Sequence, residues 1–279
     1  MSSAKTHFGL RTAVVLAAGV GRRMRSAATG AELTAEQEAV AETGVKALIP
    51  VGRPFLDYVL SALADSGVRR ICLVIGPDHS ELRSYYEQMH RRRLEIDFAI
   101  QAEPRGTADA LLAGAELVRE DSFLVVNSDT YYPPPALAGL QALDEAGLLA
   151  LDRERFLAAG ESNITRERMA AFAVVERDDT GHLTRMLEKP DPATYARLAE
   201  PVAASINGWR FRRSIFDACR AIPPSVRGEL ELPTAAQYLV DRQQERFRVV
   251  LTTEPVLDLS HREDIAGVGE RLRNLTVEL

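Results

Sequence analysis

Two rhythms of apolar residues alternate along the first half of the chain. Short, β-branched runs at 12–17, 70–75, 94–100 and 122–127 read as strands. Between them, apolar residues recur every three or four positions at 54–64, from Asp78 or Ser80 to about residue 90, and at 107–118. That spacing predicts helices, the first with Pro54 at a favoured N-terminal position. Strands alternating with helices point to βαβ units, an α/β fold and a mixed, mostly parallel sheet flanked by helices. Beyond Pro133 the pattern loosens. Strands are expected at 148–151, 171–176, 183–187, 205–211 and 247–252, with a turn at Asp179-Thr180-Gly181. Helices are expected at 231–240 and 262–273. No repeat, low-complexity tract or linker interrupts the chain. One domain over 1–279 is therefore expected, with halves 12–130 and 131–279.

Composition narrows the picture. The chain has 279 residues, 46% hydrophobic and 27% charged, as in globular proteins. No apolar run is long enough to span a bilayer. Residues 1–11 lack the apolar core of a signal peptide, so a cytoplasmic location without membrane partners is expected. Two cysteines cannot build a disulfide framework. Cys72 lies in an apolar run and Cys219 in a helical pattern, so both are expected as buried thiols. The net charge of −6 argues against nucleic-acid binding but leaves room for a local basic pocket.

Candidate chemistry begins where the first strand ends, in Leu16-Ala17-Ala18-Gly19-Val20-Gly21-Arg22-Arg23-Met24. Ligands of such sheets bind beyond the carboxyl ends of the strands, which is also where Ser128-Asp129 falls. Glycines let backbone N–H groups approach a phosphate closely, and a basic pair can neutralise it. A dinucleotide fingerprint is excluded, because Met24 stands where its third glycine belongs; a Walker loop is excluded because Gly-Lys-Ser/Thr is absent. Taken alone, the stretch is equally a tight turn.

The same stretch resembles the Leu-Ala-Ala-Gly-x-Gly-x-Arg-Met signature of nucleotidyltransferases that join a nucleoside triphosphate to a phosphorylated small molecule. Further stretches follow in the order found in the sugar-1-phosphate nucleotidyltransferase family, notably its glucose-1-phosphate thymidylyl- and uridylyltransferases. These are Lys46-Ala47-Leu48-Ile49-Pro50, Gln101-x4-Gly106-Thr107-Ala108, Val125-Val126-Asn127-Ser128-Asp129, Glu188-Lys189-Pro190, Ser205-Ile206-Asn207, Arg227-Gly228-Glu229-Leu230-Glu231 and Val256-Leu257-Asp258. The resemblance covers about 14–273 and implies a Rossmann-like fold of the nucleotide-diphospho-sugar transferase type. By resemblance, Leu16, Ala17, Ala18, Gly19, Gly21, Gln101, Gly106 and Thr107 bind the nucleotide. Glu188, Lys189, Asn207, Arg227 and Glu229 bind the sugar phosphate. Asp129 and Asp258 hold Mg²⁺, and Arg23, Lys46 and Asp129 are catalytic.

Each of these stretches also has a plain structural reading. Thr107 suits a helix N-cap. Asp129 suits a turn. Glu188-Lys189 suits a surface pair, and Trp209 suits the core better than a ligand site. His261 suits a cap on the last helix, and the other histidines lack ligand spacing. The chain also departs from the family pattern. Val45 replaces a proline, Ala173 a glycine that faces the sugar, Thr234 an acidic residue, and Leu259-Ser260-His261 a Gly-Thr tail. Residues 26–44 form an insertion with a short acidic helix expected at 32–42. A tolerated surface insertion is the simpler expectation; a lid or an oligomer contact is the other.

The implied reaction is Mg-dependent transfer of a nucleotidyl group from UTP or dTTP to a sugar 1-phosphate, with pyrophosphate released. The partners expected are the nucleoside triphosphate and the sugar 1-phosphate, with a homo-oligomer possible. Two alternatives stay open: a cytidylyltransferase acting on a non-sugar alcohol phosphate, and an inactive nucleotide-sugar-binding regulator. Retention of Arg23, Lys46 and Asp129 argues against the regulator.

Overall fold

A computed structural model describes residues 9–26, 33–188, 190–198 and 201–279. In chain order, its strands are β1 Thr12–Ala17, β2 Arg70–Ile75, β3 Glu95–Ile100, β4 Ser122–Asn127, β5 Thr130–Tyr131, β6 Ala146–Asp152, β7 Val174–Arg177, β8 Leu183–Leu187, β9 Ala203–Arg212, β10 Phe247–Thr252 and β11 Leu257–Asp258. The main sheet has the order β10-β6-β9-β4-β1-β2-β3. Along that path β10–β6, β4–β1, β1–β2 and β2–β3 pair in parallel, and β9 runs antiparallel between β6 and β4. The sheet is therefore mixed and mostly parallel, as the alternating pattern predicts. The β7–β8 hairpin joins it through β9.

Helices cover both faces, so strand residues are buried on both sides. In β1, Ala13, Val15 and Ala17 enter one apolar cluster and Val14 and Leu16 the other. A strand buried on both faces reads as a continuous apolar run, which is why β1, β2 and β4 stand out in the sequence. Trp209 is fully buried and stacks on Phe211 at 5.0 Å, in the core as expected. Cys72 and Cys219 are free and buried, and burial pushes both thiols up to about 12. Among the described residues, no helix is long and apolar enough to cross a membrane.

Several boundaries differ from the sequence reading. The helix expected at 107–118 ends at Ala113, where Gly114 caps it. Its N-cap is Gly106, with φ 110°, and not Thr107. The Thr107 hydroxyl instead accepts the Leu232 N–H at 2.9 Å, across 125 residues of chain. The acidic helix of the insertion spans Ala35–Thr43, opened by Thr34 and Gln37 in a reciprocal capping box. Neither Asp78 nor Ser80 caps the next helix, Ser80–Gln88; His79 holds the N-cap position without a side-chain cap bond. His261 does not cap the closing helix Asp264–Leu272, where Glu263 is N-cap. Helices Pro134–Gln141, Arg153–Ala159, Arg166–Met169 and Pro192–Ala196 were not expected, while Ser214–Ala221 carries the helical pattern read around Cys219.

Candidate active site

The glycine loop follows directly from β1. Gly21 has φ 60° and sits against Gly44, the residue that ends the insertion's helix. A Cβ at Gly21 would lie 2.1 Å from the Gly44 carbonyl oxygen, so only glycine fits there. The Arg25 guanidinium donates to the Thr43 carbonyl at 2.6 Å, and Arg262 donates to the Met24 carbonyl at 2.8 Å and pairs with Glu38 at 3.1 Å. The described part of the insertion thus buttresses the glycine loop. Its described residues 33–44 do not line the cavity below.

Beneath the loop, His79 is buried. Its Nδ1 accepts the Gly76 N–H at 3.2 Å, and it hydrogen-bonds the Ala17 backbone. The ring therefore ties the end of β2 to the end of β1. Desolvation lowers its pKa below the usual histidine value.

Lys46 opens a short 3-10 turn, Lys46–Leu48, immediately after the insertion. Its Nζ lies 2.7 Å from Asp129 Oδ2. Asp129 follows β4, and the Ser128 N–H donates to the Leu16 carbonyl at 3.1 Å. The two-stranded ladder β5–β11 then places Asp258 opposite Thr130. The Leu259 N–H donates to the Asp129 carbonyl at 2.8 Å. Two aspartates 129 residues apart in sequence are therefore brought together by backbone pairing. Burial, then the charge of Asp129, pushes the Asp258 carboxyl up to about 6.

Asp258 is held from behind. Asn163 clamps its backbone, donating to its carbonyl at 2.7 Å and accepting its N–H at 3.0 Å. The Ser260 hydroxyl donates to Oδ1 at 3.0 Å. The Arg168 guanidinium bridges Asp258 and Asp264. Sequence reasoning missed Arg168 and Asn163. Their signal is a contact across roughly 90 residues, which no local pattern carries.

Asn207 reaches the site through a defect in the sheet. The β6–β9 register shifts between Leu148 and Ala150, and Asn207 takes a left-handed φ of 56°. Bulges beside binding sites re-aim side chains in this way, and asparagine tolerates the conformation. Opposite, the Gln101 stretch is clasped to the Arg227 stretch. Ala108 N–H donates to the Leu230 carbonyl at 2.9 Å, and Leu230 N–H to the Arg105 carbonyl at 2.7 Å. Gly106 must be glycine there, because a Cβ would meet the Leu230 oxygen at 2.4 Å. Arg227 pairs with Glu231 at 2.7 Å and Glu229 at 3.6 Å.

All these elements enclose one cavity of about 740 Å³ at the carboxyl ends of β1 and β4. Leu16, Ala17, Ala18, Gly19, Gly21, Arg23, Lys46, Gln101, Gly106, Thr107, Asp129, Glu188, Asn207, Arg227, Glu229 and Asp258 all line it. Lys189 lies outside the described residues. Ala173, in place of the expected glycine, also lines the cavity. The volume suits a ligand the size of a nucleotide with a second small group.

A family model described as nucleotidyl transferase matches residues 12–255. The chain belongs to this family. It is 26% identical over 231 residues to the low-salt glycan biosynthesis nucleotidyltransferase Agl11 of Haloferax volcanii, covering 82% of this chain and 57% of that protein. It is 29% identical to a glucose-1-phosphate thymidylyltransferase of Streptomyces antibioticus, again over 82% of this chain and 57% of the relative. The chain thus spans little more than half the length of these two relatives. It is 26% identical to the UTP–glucose-1-phosphate uridylyltransferase AglF of Haloferax volcanii, covering 95% of this chain and 98% of that one. Among solved structures, a UDP-glucose pyrophosphorylase complexed with UDP-glucose shares the fold with a TM-score of 0.73 at 15% identity, covering 95% of this chain and 98% of that one. An inositol-1-phosphate CTP transferase from T. maritima shares it with a TM-score of 0.71 at 17% identity, covering 95% and 96%. The nucleotidyl transferase family and the α/β fold read from the sequence both stand.

Proposed function

We propose that this nucleotidyltransferase transfers a nucleotidyl group from UTP or dTTP to a sugar 1-phosphate and releases pyrophosphate. The observation that carries this reading is the convergence of three groups of residues in one cavity. These are the glycine loop with Arg23, the Lys46–Asp129 pair facing Asp258, and the Arg227–Glu229 stretch with Asn207 and Glu188. The thymidylyl- and uridylyltransferases among its relatives support a pyrimidine nucleotide and a glucose-type acceptor.

In this reading a sugar-phosphate oxygen attacks the α-phosphorus. A new P–O bond forms there, the bond to the β-phosphate breaks, and the electron pair leaves with pyrophosphate. The nucleophile is already an anion, so no general base is needed. The barrier is the approach of two anions, and alignment with charge neutralisation lowers it. Arg23, exposed at the rim beside the loop, neutralises the departing pyrophosphate. Lys46 stabilises charge at the α-phosphoryl group. Arg227 orients the attacking phosphate with its planar fork, together with Lys189. Asn207, Glu188 and Glu229 hold the sugar of the sugar phosphate, and Glu231, 2.7 Å from Arg227, keeps that guanidinium in place.

The donor set fits a hard divalent cation such as Mg²⁺. Asp129 and Asp258 converge closely enough for one charge to raise the other's pKa, a repulsion that the charge of a bound divalent cation would relieve. These two carboxylates would hold it. The chemistry it would supply is Lewis-acid polarisation of the α-phosphate.

The test is pyrophosphate release with Mg²⁺, single nucleoside triphosphates and a panel of phosphorylated acceptors. Release that needs UTP or dTTP plus a sugar 1-phosphate is expected, with a loss of about a hundredfold or more in Asp129→Ala. Release only with CTP and a non-sugar alcohol phosphate would replace this reading with the cytidylyltransferase one. Nucleotide binding without turnover on any acceptor would leave a binding protein.

A further inference from the structure

Gln101 stands at the end of β3, where its backbone N–H donates to the Ile75 carbonyl at 2.9 Å. Its side chain is buried, with two acceptors behind it. Nε2 lies 3.0 Å from the Gly106 carbonyl oxygen and 2.9 Å from Asp109 Oδ2. A carbonyl and a carboxylate can only accept, so the amide must turn its NH₂ toward both. Asp109 is itself fixed, because its Oδ1 accepts from Arg105 Nη2 at 2.8 Å. Both amide hydrogens are thereby used. Among the described residues nothing donates to Gln101 Oε1, and this oxygen is not a sealed-off orphan. Gln101 lines the large cavity. Gln101 also borders a shallow outer cleft with Ile100 and Glu103; Asp109 lines that outer cleft and not the cavity, so the NH₂ it holds is drawn to the outer side. The amide oxygen is therefore the atom left for a ligand in the cavity.

We propose that Asp109 is a specificity-determining positioning residue: it locks the flip of Gln101 so that a carbonyl oxygen, not an NH₂ group, meets the nucleobase. This rests on the nucleotidyl-transfer reading and names the base it selects. An acceptor fixed at that point favours a base with a ring imide N–H, as in uracil and thymine. Cytosine presents a bare, accepting N3 at the same place, and two acceptors face to face leave both unsatisfied. An amide free to rotate would serve either base. Discrimination then comes from Asp109 acting with the Gly106 carbonyl, although Asp109 need not touch the nucleotide.

The test compares UTP with CTP in wild type, Asp109→Ala and Asp109→Asn, using kcat/KM for pyrophosphate release and equilibrium binding of each triphosphate. The side-chain amide that Asp109→Asn introduces can either donate or accept, so the near-isosteric variant also weakens the lock and leaves only the Gly106 carbonyl to hold the flip. Wild type is expected to prefer UTP by at least about tenfold. In both variants that preference should shrink by about tenfold, through a higher KM for UTP and a gain with CTP. Saturated turnover with UTP should stay within about threefold of wild type. Thermal melting shows which variants are folded. A UTP:CTP ratio unchanged in folded Asp109→Asn would overturn the proposal, as would a wild type that prefers CTP while turning over. If wild type turns over no triphosphate at all, the nucleotidyl-transfer reading fails instead. Binding of UTP against CTP then still decides the role of Asp109.

Discussion

Single side chains carry most of the charge control here. Arg23 is exposed at the cavity rim, so removing it leaves no buried hole. Arg23→Ala should keep its melting temperature while kcat/KM falls about a hundredfold, the usual loss for one electrostatic contact in the transition state. An unchanged kcat/KM removes Arg23 from the mechanism. Arg168 is the opposite case. Its guanidinium is mostly buried and is shared between Asp258 and Asp264. Arg168→Ala strands two carboxylates and should cost about 3 kcal/mol in urea unfolding. Asp57 is fully buried in the helix Phe55–Asp65, accepting from Tyr86 at 2.8 Å, Tyr85 at 3.0 Å and Arg53 at 3.1 Å. It lies away from the cavity, so Asp57→Ala should lower stability without changing substrate preference.

At the scale of elements, the site depends on how loops are tied to strand ends. The His79 ring links the ends of β1 and β2, with Asp78 and Arg25 nearby. Its folded pKa is depressed, so as pH falls below about 6.5 the unfolded chain takes up the proton first. The stability that neutral His79 supplies is therefore present at neutral pH and lost as the pH drops toward the folded pKa. Acidification also removes the acceptor for the Gly76 N–H. Between pH 7.5 and 5, wild type should lose more melting temperature than His79→Gln; parallel curves would show that His79 contributes nothing to the slope. The Gly106–Leu230 clasp couples the two sides of the cavity in the same way, since its bonds run between segments more than 120 residues apart.

For the whole molecule, a cavity assembled from both halves of the chain predicts that substrate holds those halves together. A ligand that binds only the folded state stabilises it by mass action, by about 2.7 kcal/mol at a hundred times its Kd. UTP with Mg²⁺ should therefore raise the melting temperature in a concentration-dependent way. Asp129→Ala should shift that dependence to higher nucleotide, and an identical response would place the triphosphate elsewhere.

What the amino-acid order determined by itself is local. Strands β1, β2, β4, β8 and β10 were legible to the residue, because each is a compact apolar or alternating run bounded by turn residues. The glycine loop was legible because its backbone needs glycine at Gly21, where a Cβ would meet Gly44. The helix Ser214–Ala221 also had a signal, since Ile215, Phe216, Ala218 and Cys219 repeat at helical spacing. The two-residue strands β5 and β11 had none, being shorter than any period. The tertiary structure alone decided what spans distance: Asp258 beside Asp129, Arg168 behind Asp258, and the bulge that turns Asn207. Periodicity records which face a residue presents to its own element. It holds no record of which distant residue will face it, and that pairing is settled only when the sheet and its loops close around a common core.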